Sequence, residues 1–220
     1  MARVFPHYYH GIVCRILGVT VEVVGVPPQG SALIVANHVS WLDIVVLSAA
    51  TPCSFIAKRE VGTWPLFGAL ARLQRSVFID RQKRHSTGRS RKGIAARLDA
   101  GETLVLFAEG TSGDGASVRH FKSSFFAAAN DDTKIVPTTL AYLTQWNMML
   151  TRRQRPSIAW YGDMDMAPHL WAALKSGPIA VRVVFHNALD PSHRKQAAKE
   201  AEQTIRAGLV SALHGPRDLL

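Results

Sequence analysis

A histidine and an aspartate five residues apart are the first candidates for chemistry in this chain. They lie in the segment NHVSWLD at residues 37–43, directly after a short apolar run. An imidazole titrates near neutrality, so His38 can accept a proton from a hydroxyl group at pH 7. If a helix follows, the Asp43 carboxylate can reach the ring, fix its tautomer and stabilise the imidazolium. The spacing alone also fits a helix N-terminus capped by Ser40, beside an ordinary histidine.

A glycine-rich loop with the sequence FAEGTSGDG at residues 107–115 offers a second set of polar groups. Glycines let the backbone approach a polar substrate closely, and successive backbone amides bind anions. Two cations add to this set, Arg81 at the end of a predicted strand and Lys122 downstream of the loop. A guanidinium group suits bidentate binding of phosphate or carboxylate. Each of these features, taken singly, also fits a simple turn or a solvated cation.

The elements around these motifs alternate between strand-like and helical segments. Strands are expected at residues 21–26, 32–36, 53–57, 76–79, 103–107, 135–140 and 179–185. Helices are expected at residues 40–50, 64–73, 86–100 and about 122–129, and in a last helix with Asp190 as N-cap and Pro191 in its first turn. Such alternation predicts one α/β domain with a mixed, largely parallel sheet flanked by helices. A segment that leaves a strand and enters a helix, as residues 37–43 do, is a common place for reactive groups in such folds.

Several sequence blocks occur in an order that is typical of one family. The blocks are NHVSWLD at 37–43, WPLFG at 64–68, FIDR at 78–81, EGT at 109–111 and IVP at 135–137. Together they resemble the lysophospholipid (1-acylglycerol-phosphate) acyltransferase family over residues 20–190. The resemblance implies a glycerolipid acyltransferase-like fold. It also implies transfer of a fatty acyl group from an acyl carrier protein or coenzyme A thioester to the hydroxyl of a lysolipid.

The same resemblance assigns roles to individual residues. It implies that His38 is the general base and that Asp43 orients it. The acceptor's polar head would be held by Arg81, Glu109, Gly110, Thr111 and Lys122. The family reaction needs neither a metal nor a prosthetic group, and none is expected here.

Two departures from the family pattern bear on the acceptor. Ala108 stands where proline is usual, and Ser112 stands where an arginine often follows. The EGTSGDG run, with FKSS at 121–124 and WYGDM at 160–164, is similar to a bacterial branch that includes lyso-ornithine lipid O-acyltransferases. The absent arginine removes one phosphate contact. Lysophosphatidic acid and lyso-ornithine lipid both stay open as acceptors.

An ornithine headgroup carries a carboxylate and an amine, which call for partners of opposite charge. Arg81 and Lys122 are candidates for the carboxylate, and Asp114 is a candidate for the amine. This assignment is the hypothesis that distinguishes the two acceptors at the residue level.

Composition limits the class of protein further. The chain has 220 residues, of which 47% are hydrophobic, and a formal net charge of +10. These values suit one folded domain and predict an anionic partner. The two cysteines, Cys14 and Cys53, argue for a reducing compartment and against a disulfide framework. Asp163 and Asp165 have no companion ligands at useful spacing, so no metal site is predicted.

The first 19 residues are expected to form an amphipathic segment at a membrane surface, followed by a catalytic domain at residues 20–220. Phe5, Tyr9, Ile12 and Ile16 recur at helical spacing, as in lipid-facing helices, although an ordinary packed helix gives the same pattern. No apolar run is long enough for a transmembrane helix, and charged residues break any signal-peptide core. We therefore expect a peripheral protein at the cytoplasmic face of the inner membrane.

A run of nine basic residues between Arg72 and Arg97 is the basis of a rival interpretation. Such a run suits anionic headgroups or an acidic carrier protein, but it also suits nucleic acid. A basic membrane- or nucleic-acid-binding protein without catalysis is therefore the alternative. Walker A, zinc-finger and RNA-recognition signatures are absent from the sequence, so nucleic acid is not expected as a partner.

Overall fold

A seven-stranded sheet forms the centre of the molecule in a computed structural model that describes residues 4–64, 67–79, 84–129 and 133–214. The strands are β1 Val19–Val24, β2 Ala32–Ala36, β3 Ser54–Lys58, β4 Val77–Ile79, β5 Thr103–Phe107, β6 Lys134–Thr144 and β7 Ile179–Phe185. Their spatial order is β1-β7-β6-β2-β5-β3-β4. Strands β6 and β7 pair antiparallel, and the other neighbouring pairs are parallel. The predicted mixed, largely parallel α/β sheet is confirmed.

Helices cover both faces of this sheet. The α-helices are α1 Phe5–Ile16, α2 Leu42–Ala50, α3 Phe67–Leu73, α4 Arg84–Asp99, α5 Arg155–Ile158, α6 Met166–Lys175 and α7 Arg194–His214. Short 3₁₀ helices occupy Arg59–Thr63 and Ser123–Ala128. Helices α1 and α2 pack on one face, whereas α4, α7 and the second 3₁₀ helix pack on the other. Within the described residues, none of the helices is both long and apolar enough to cross a membrane.

Strand β2 illustrates why these sequences form buried strands. Side chains alternate between the faces of a sheet, so Ile34 contributes to the core under α1 and α2 while Leu33 and Val35 contribute to the core under α4 and α7. Because helices cover both faces, all five residues of β2 are buried and the strand reads as one continuous apolar run. This run carries the chain to the segment at residues 37–43.

The structure corrects several predicted boundaries. The helix expected at about 122–129 is the 3₁₀ helix Ser123–Ala128. The last helix begins at Arg194, because the Asp190 carboxylate accepts a hydrogen bond from the Ser192 amide and closes a turn instead of capping a helix. Helix α3 begins at Phe67, and residues 65 and 66 lie outside the described part.

Other differences concern elements that the sequence did not reveal. Strand β1 lies two residues earlier than expected, at Val19–Val24, and β6 continues to Thr144 rather than ending at residue 140. Helices α5 and α6 were not predicted. Both follow the extended β6, so they belong to the same unpredicted region at the carboxyl end of the sheet.

Candidate active site

His38 and Asp43 meet at the carboxyl end of β2. The strand ends at Ala36, His38 follows two residues later, and α2 begins at Leu42. One oxygen of the Asp43 carboxylate (Oδ2) lies 2.7 Å from Nδ1 of His38. The contact that the five-residue spacing predicts is therefore present. Because Nδ1 is occupied by Asp43, Nε2 is the ring nitrogen available to a substrate hydroxyl.

The Asp43 carboxylate also binds the backbone of the segment that leads into its helix. It is fully buried, and Oδ2 accepts hydrogen bonds from the backbone amides of Val39, at 2.7 Å, and Ser40, at 3.1 Å. Capping by Ser40 was predicted and is wrong, because within the described part of the chain the buried Ser40 hydroxyl has no hydrogen-bond partner. The first amides of the helix, those of Asp43 and Ile44, instead donate to the backbone carbonyls of Ser40, at 3.1 Å, and Trp41, at 3.2 Å.

Tyr142 is a functional residue that sequence reasoning missed. Its phenol donates a 2.6 Å hydrogen bond to Oδ1 of Asp43 from near the end of β6, 99 residues away in sequence. Burial, together with the charge of Asp43, raises the pKa of Tyr142 well above its ordinary value, so the phenol keeps its proton and acts as a donor. The sequence signal was a single tyrosine in a buried strand, which does not identify its partner without the topology of the sheet.

A cavity of about 700 Å³ opens beside the histidine. His38 forms part of its lining and stacks on Phe107, with the ring centroids 4.1 Å apart and an interplanar angle of 14°. Its apolar wall consists of Trp41, Ile44, Phe55, Ile56, Ala57, Val61, Trp64, Phe107, Trp160 and Met166. Such a mostly apolar pocket with a few polar groups is typical of small-molecule sites.

Polar groups of the cavity lining include residues that the sequence predicted and one cation that it did not. Gly110, Thr111 and Lys122 line the cavity together with His38, so the structure brings these predicted residues together. Lys58, the last residue of β3, lines the same cavity and was not predicted. It follows a buried apolar run, and this position at a strand end is the signal that could have identified it. Two lysines, Lys58 and Lys122, and one glutamate, Glu60, thus line one mostly apolar cavity.

Glu109 is placed differently from the other predicted residues. Its carboxylate is 4% exposed and is not part of the cavity lining. One oxygen accepts the His38 amide at 2.8 Å, and the other accepts the Arg119 amide at 3.0 Å. Burial raises the pKa of Glu109 to about 7, against the effect of these two hydrogen bonds. The geometry therefore gives Glu109 a role in holding the backbone of the histidine, and contact with the acceptor stays a prediction.

The glycine-rich loop also binds the carbonyl side of His38. The Gly113 amide donates a 2.8 Å hydrogen bond to the carbonyl of His38. Because Glu109 accepts the His38 amide, the backbone of His38 is bonded to the loop on both sides. This double attachment fixes the position from which the imidazole extends.

Ser112, one of the departures from the family pattern, forms part of the cavity wall. Its hydroxyl donates a hydrogen bond to the carbonyl of Trp160, whose own amide donates to the Val39 carbonyl at 2.9 Å. The indole of Trp160 then meets that of Trp64 edge to face, with the ring centroids 5.9 Å apart. The buried Ser112 thus binds residue 160 to the loop.

The WPLFG segment contributes through a close backbone approach. A Cβ atom on Gly68 would lie 2.4 Å from the carbonyl oxygen of Gly62, in the 3₁₀ helix whose residue Val61 lines the cavity. Glycine at residue 68 is therefore required for α3 to pack against this part of the wall.

The other two predicted acceptor contacts are Arg81 and Asp114. Arg81 lies outside the described residues, so its predicted role stays a prediction. Asp114 lies 3.6 Å from Arg155 and lines a separate, small cavity. The hypothesis that Asp114 meets an amine of the acceptor is not supported by this position.

The structure describes no group of ligands for a metal. Within residues 4–64, 67–79, 84–129 and 133–214, no cluster of three or more histidine, cysteine, aspartate or glutamate residues has the geometry of a metal site. Cys14 and Cys53 are free and buried, and burial raises the pKa of their thiols to about 11 and about 12. Neither thiol has the lowered pKa of a nucleophile, and both belong to the core, as predicted.

Comparison with known proteins identifies the family to which this chain belongs. Residues 19–141 match the model of the family described as Acyltransferase, which is more than half of the chain. The chain therefore belongs to the acyltransferase family, and the family identified from the sequence blocks is confirmed. Membership also decides against the alternative of a binding protein without catalysis.

Individual relatives place the chain more closely within the family. It is 42% identical to a lyso-ornithine lipid O-acyltransferase of Brucella abortus, over 97% of this chain and 84% of the relative. It is 39% identical to the enzyme of the same name from Rhizobium meliloti, over 97% and 77%. A 1-acyl-sn-glycerol-3-phosphate acyltransferase of Neisseria meningitidis is 32% identical, over 82% and 69%.

A solved structure supports the fold. The crystal structure of the 1-acyl-sn-glycerophosphate acyltransferase PlsC from Thermotoga maritima superposes with a TM-score of 0.66, covering 93% of this chain and 76% of that one. The sequence identity is 22%, so this likeness concerns the arrangement of strands and helices.

Proposed function

We propose that this chain transfers a fatty acyl group from a thioester to the hydroxyl of lyso-ornithine lipid, completing a two-chain polar lipid. The observation that carries the proposal is the His38–Asp43 pair at the wall of a large apolar cavity. A general base beside an apolar cavity suits a substrate that combines a hydroxyl group with a fatty chain.

The reaction proceeds by direct attack. Nε2 of His38 takes the proton of the acceptor hydroxyl while the hydroxyl oxygen attacks the carbonyl carbon of the thioester. The imidazolium is stabilised by Asp43, which holds Nδ1 at 2.7 Å. When the tetrahedral intermediate collapses, the carbon–sulfur bond breaks, and the departing thiolate takes the proton from His38. The base is thus regenerated, and no metal or prosthetic group takes part.

The charges of the cavity favour an acceptor with an anionic head. The lining contains two lysines, Lys58 and Lys122, against one glutamate, Glu60, and two ammonium groups can bind the carboxylate of an ornithine head or the phosphate of lysophosphatidic acid. Lyso-ornithine lipid is preferred because the two relatives with the higher identity carry that name. Ser112 supports the same preference, since it occupies the position where an arginine would add a phosphate contact and instead binds the wall at Trp160.

The acyl donor and the membrane complete the proposal. Either acyl carrier protein or coenzyme A is the proposed carrier, since the site requires only a thioester. Phe5, Tyr8, Ile12 and Ile16 of α1 are exposed, while Cys14 of the same helix is buried. This exposed face supports the proposed amphipathic segment at residues 1–19 and peripheral attachment at the cytoplasmic face of the inner membrane.

Acyl transfer by the purified protein tests the proposal. Lyso-ornithine lipid and lysophosphatidic acid are offered in separate assays with the same acyl thioester, first on acyl carrier protein and then on coenzyme A. We expect ornithine lipid as the main product, and we expect His38→Ala to form it about 10²–10⁴-fold more slowly. Product from lysophosphatidic acid alone would reject the preferred acceptor but leave the mechanism in place. Equal product from the wild type and His38→Ala would reject the mechanism.

A further inference from the structure

A short turn beyond β6 exposes three apolar side chains. Trp146 is 66% exposed, Met148 54% and Met149 37%. Contiguous exposed apolar groups on a soluble fold mark an interaction surface. This turn lies outside the cavity, and neither the proposed reaction nor the sequence motifs account for it.

Hydrogen bonds hold this turn in a defined shape. The amide of Asn147 donates to the Thr144 carbonyl at 2.9 Å, and the Thr144 amide donates to the Met148 carbonyl at 2.8 Å. The Thr144 hydroxyl also accepts the amides of Trp146, at 3.3 Å, and Met148, at 3.2 Å. The exposed side chains therefore project from an ordered hairpin.

The turn lies at the same end of the sheet as the active site. Thr138 of β6 is paired with Ala36, the last residue of β2, and β6 then continues to Thr144. At about 3.3 Å per residue, this extension carries the turn roughly 20 Å beyond the end of β2. The apolar side chains thus extend past the level of His38.

The exposed face of α1 ends close to the same turn. Gly18, just after α1, accepts a hydrogen bond from the Ile179 amide, and Ile179 is paired with Thr144. Two strand spacings, about 10 Å, therefore separate the end of α1 from the turn. Ile16, in the last turn of α1, is 76% exposed. Two apolar surfaces from distant parts of the sequence thus share one end of the molecule.

The charges beside the turn match an anionic surface. Arg152 and Arg153 follow the apolar side chains and are exposed, and the sequence from 143 to 155 has no acidic residue. Tryptophan suits the boundary between hydrocarbon and headgroups, while arginine binds lipid phosphates. We propose that the turn at residues 145–149, with Arg152 and Arg153, is a membrane contact that inserts among the headgroups of an anionic bilayer.

The contact has a consequence for catalysis, which rests on the proposed function. The turn and the exposed face of α1 would together fix the carboxyl end of the sheet towards the lipid. The cavity beside His38 would then open towards the layer that contains the acceptor. The contact itself stands independently of which reaction the site performs.

Binding to vesicles tests the contact. The variant Trp146→Ser/Met148→Ser is compared with the wild type by co-sedimentation with vesicles of phosphatidylglycerol and phosphatidylcholine in equal amounts. We expect its binding constant to fall by about tenfold or more, because apolar side chains no longer enter the bilayer. The matched control is Leu73→Ser/Val210→Ser, which removes two exposed apolar side chains elsewhere and should bind like the wild type.

The charge contribution is separated by a second pair of variants. Arg152→Gln/Arg153→Gln should lose about tenfold in binding to the same vesicles and keep its weaker binding to pure phosphatidylcholine. Arg194→Gln/Lys195→Gln removes two exposed cations from the start of α7 and serves as the control. Equal thermal unfolding of all variants checks that the fold is intact.

Unchanged vesicle binding by both variants of the turn would overturn the proposal. If the variants also lost activity selectively with acyl carrier protein as donor, the turn would be a protein-docking surface instead. A wild type that binds vesicles through the turn but transfers no acyl group would reject the proposed function and leave the contact in place.

Discussion

Both ends of the sheet contain buried carboxylates, but the hydrogen-bond partners of these carboxylates differ between the two ends. At the amino end, Glu102 accepts hydrogen bonds from the guanidinium groups of Arg75, at 2.8 Å, and Arg97. At the carboxyl end, Asp43 and Glu109 are bonded to backbone amides, a phenol and the histidine ring. Among the described residues, no lysine or arginine forms an ion pair with either of these two carboxylates.

A cavity alone does not distinguish the two ends. The amino end also has one, of about 540 Å³, and Arg75 and Glu102 line it. Guanidinium partners neutralise a carboxylate, whereas amides and a phenol stabilise its charge without cancelling it. The charge of Asp43 is therefore available to an imidazole that becomes a cation during the reaction. The comparison teaches that permanent ion pairs mark the structural end and uncancelled charge marks the reactive end.

The same comparison changes the interpretation of the basic run at residues 72–97. Arg75 and Arg97 bind Glu102, and Arg72 and Arg91 donate to the backbone carbonyls of Gly62 and Ala127. Arg75 and Arg97 therefore hold the amino end of the sheet together, while Arg72 and Arg91 attach to the two 3₁₀ helices. These four arginines of the run have structural partners, whereas the sequence had suggested a surface for anionic partners.

The largest expected effect comes from removing the base at the reactive end. We expect His38→Ala to lower turnover by about 10²–10⁴-fold, because it removes the imidazole that takes the hydroxyl proton. Its melting temperature should stay close to that of the wild type, since the ring is not part of the core. Steady-state kinetics and thermal unfolding measure the two quantities. A variant that unfolds as it loses activity would place His38 among the structural residues.

Stability at the reactive end should depend on pH through Glu109. Its carboxyl group has a pKa of about 7 in the folded protein and an ordinary value of 4.5. Between these values the folded protein holds a proton that the unfolded chain has released, so the free energy of unfolding falls as pH rises through this window. The loss is up to about 3 kcal/mol.

Glu109→Gln isolates this contribution because it removes the titrating group. The difference in unfolding free energy between wild type and variant is measured by urea denaturation at about pH 5 and about pH 8. We expect the wild type to lose more stability than the variant between the two pH values. An identical loss in both proteins would show that Glu109 does not titrate in this range.

At the structural end, Glu102→Gln should separate stability from catalysis. Two arginines would lose their common counter-charge, at a cost of about 2 kcal/mol of unfolding free energy, since both are partly exposed to solvent. The turnover number should stay within about twofold of the wild type. Urea denaturation and the acyl-transfer assay check the two values. A tenfold fall in turnover would show that the amino end also affects catalysis and would contradict the distinction between the two ends.

The smallest effect is expected for Tyr142→Phe. The variant removes the hydroxyl that donates to Asp43 and keeps the ring, so Tyr142 is tested as a positioning residue. We expect turnover to fall about tenfold with an unchanged KM, because one charge-assisted hydrogen bond to the orienting carboxylate is lost. Tyr161→Phe is the control, since the hydroxyl of Tyr161 does not bond to Asp43. Equal kinetics for both variants would leave Tyr142 with a packing role.

Sequence reasoning succeeded where one local signal fixed the answer. Strands β2, β5 and β7 were predicted with the bounds they have, because buried apolar runs between turn residues have few alternatives. The contact of His38 with Asp43 follows from five residues of local spacing.

Sequence reasoning failed where the hydrogen-bond partner of a residue is not visible from its local motif. The hydrogen bond from Tyr142 to Asp43 joins residues that lie 99 positions apart in sequence, and only the strand order reveals it. Ser40 was assigned as a cap because its own residue type favours that role, but the first helical amides donate to the backbone carbonyls of Ser40 and Trp41 instead. Glu109 was expected to face the acceptor because the motif does not show that both its oxygens hold backbone amides.

The pairing of β1 with β7 has a consequence for the newly made chain. Val19 pairs with Ile179, which the ribosome adds 160 residues later. At about 5–20 residues per second, β1 and the neighbouring α1 wait on the order of 10–30 s for the strand that holds them to the sheet. During translation, this N-terminal segment is therefore the part that most needs a chaperone or a lipid surface, because its sheet partner does not yet exist.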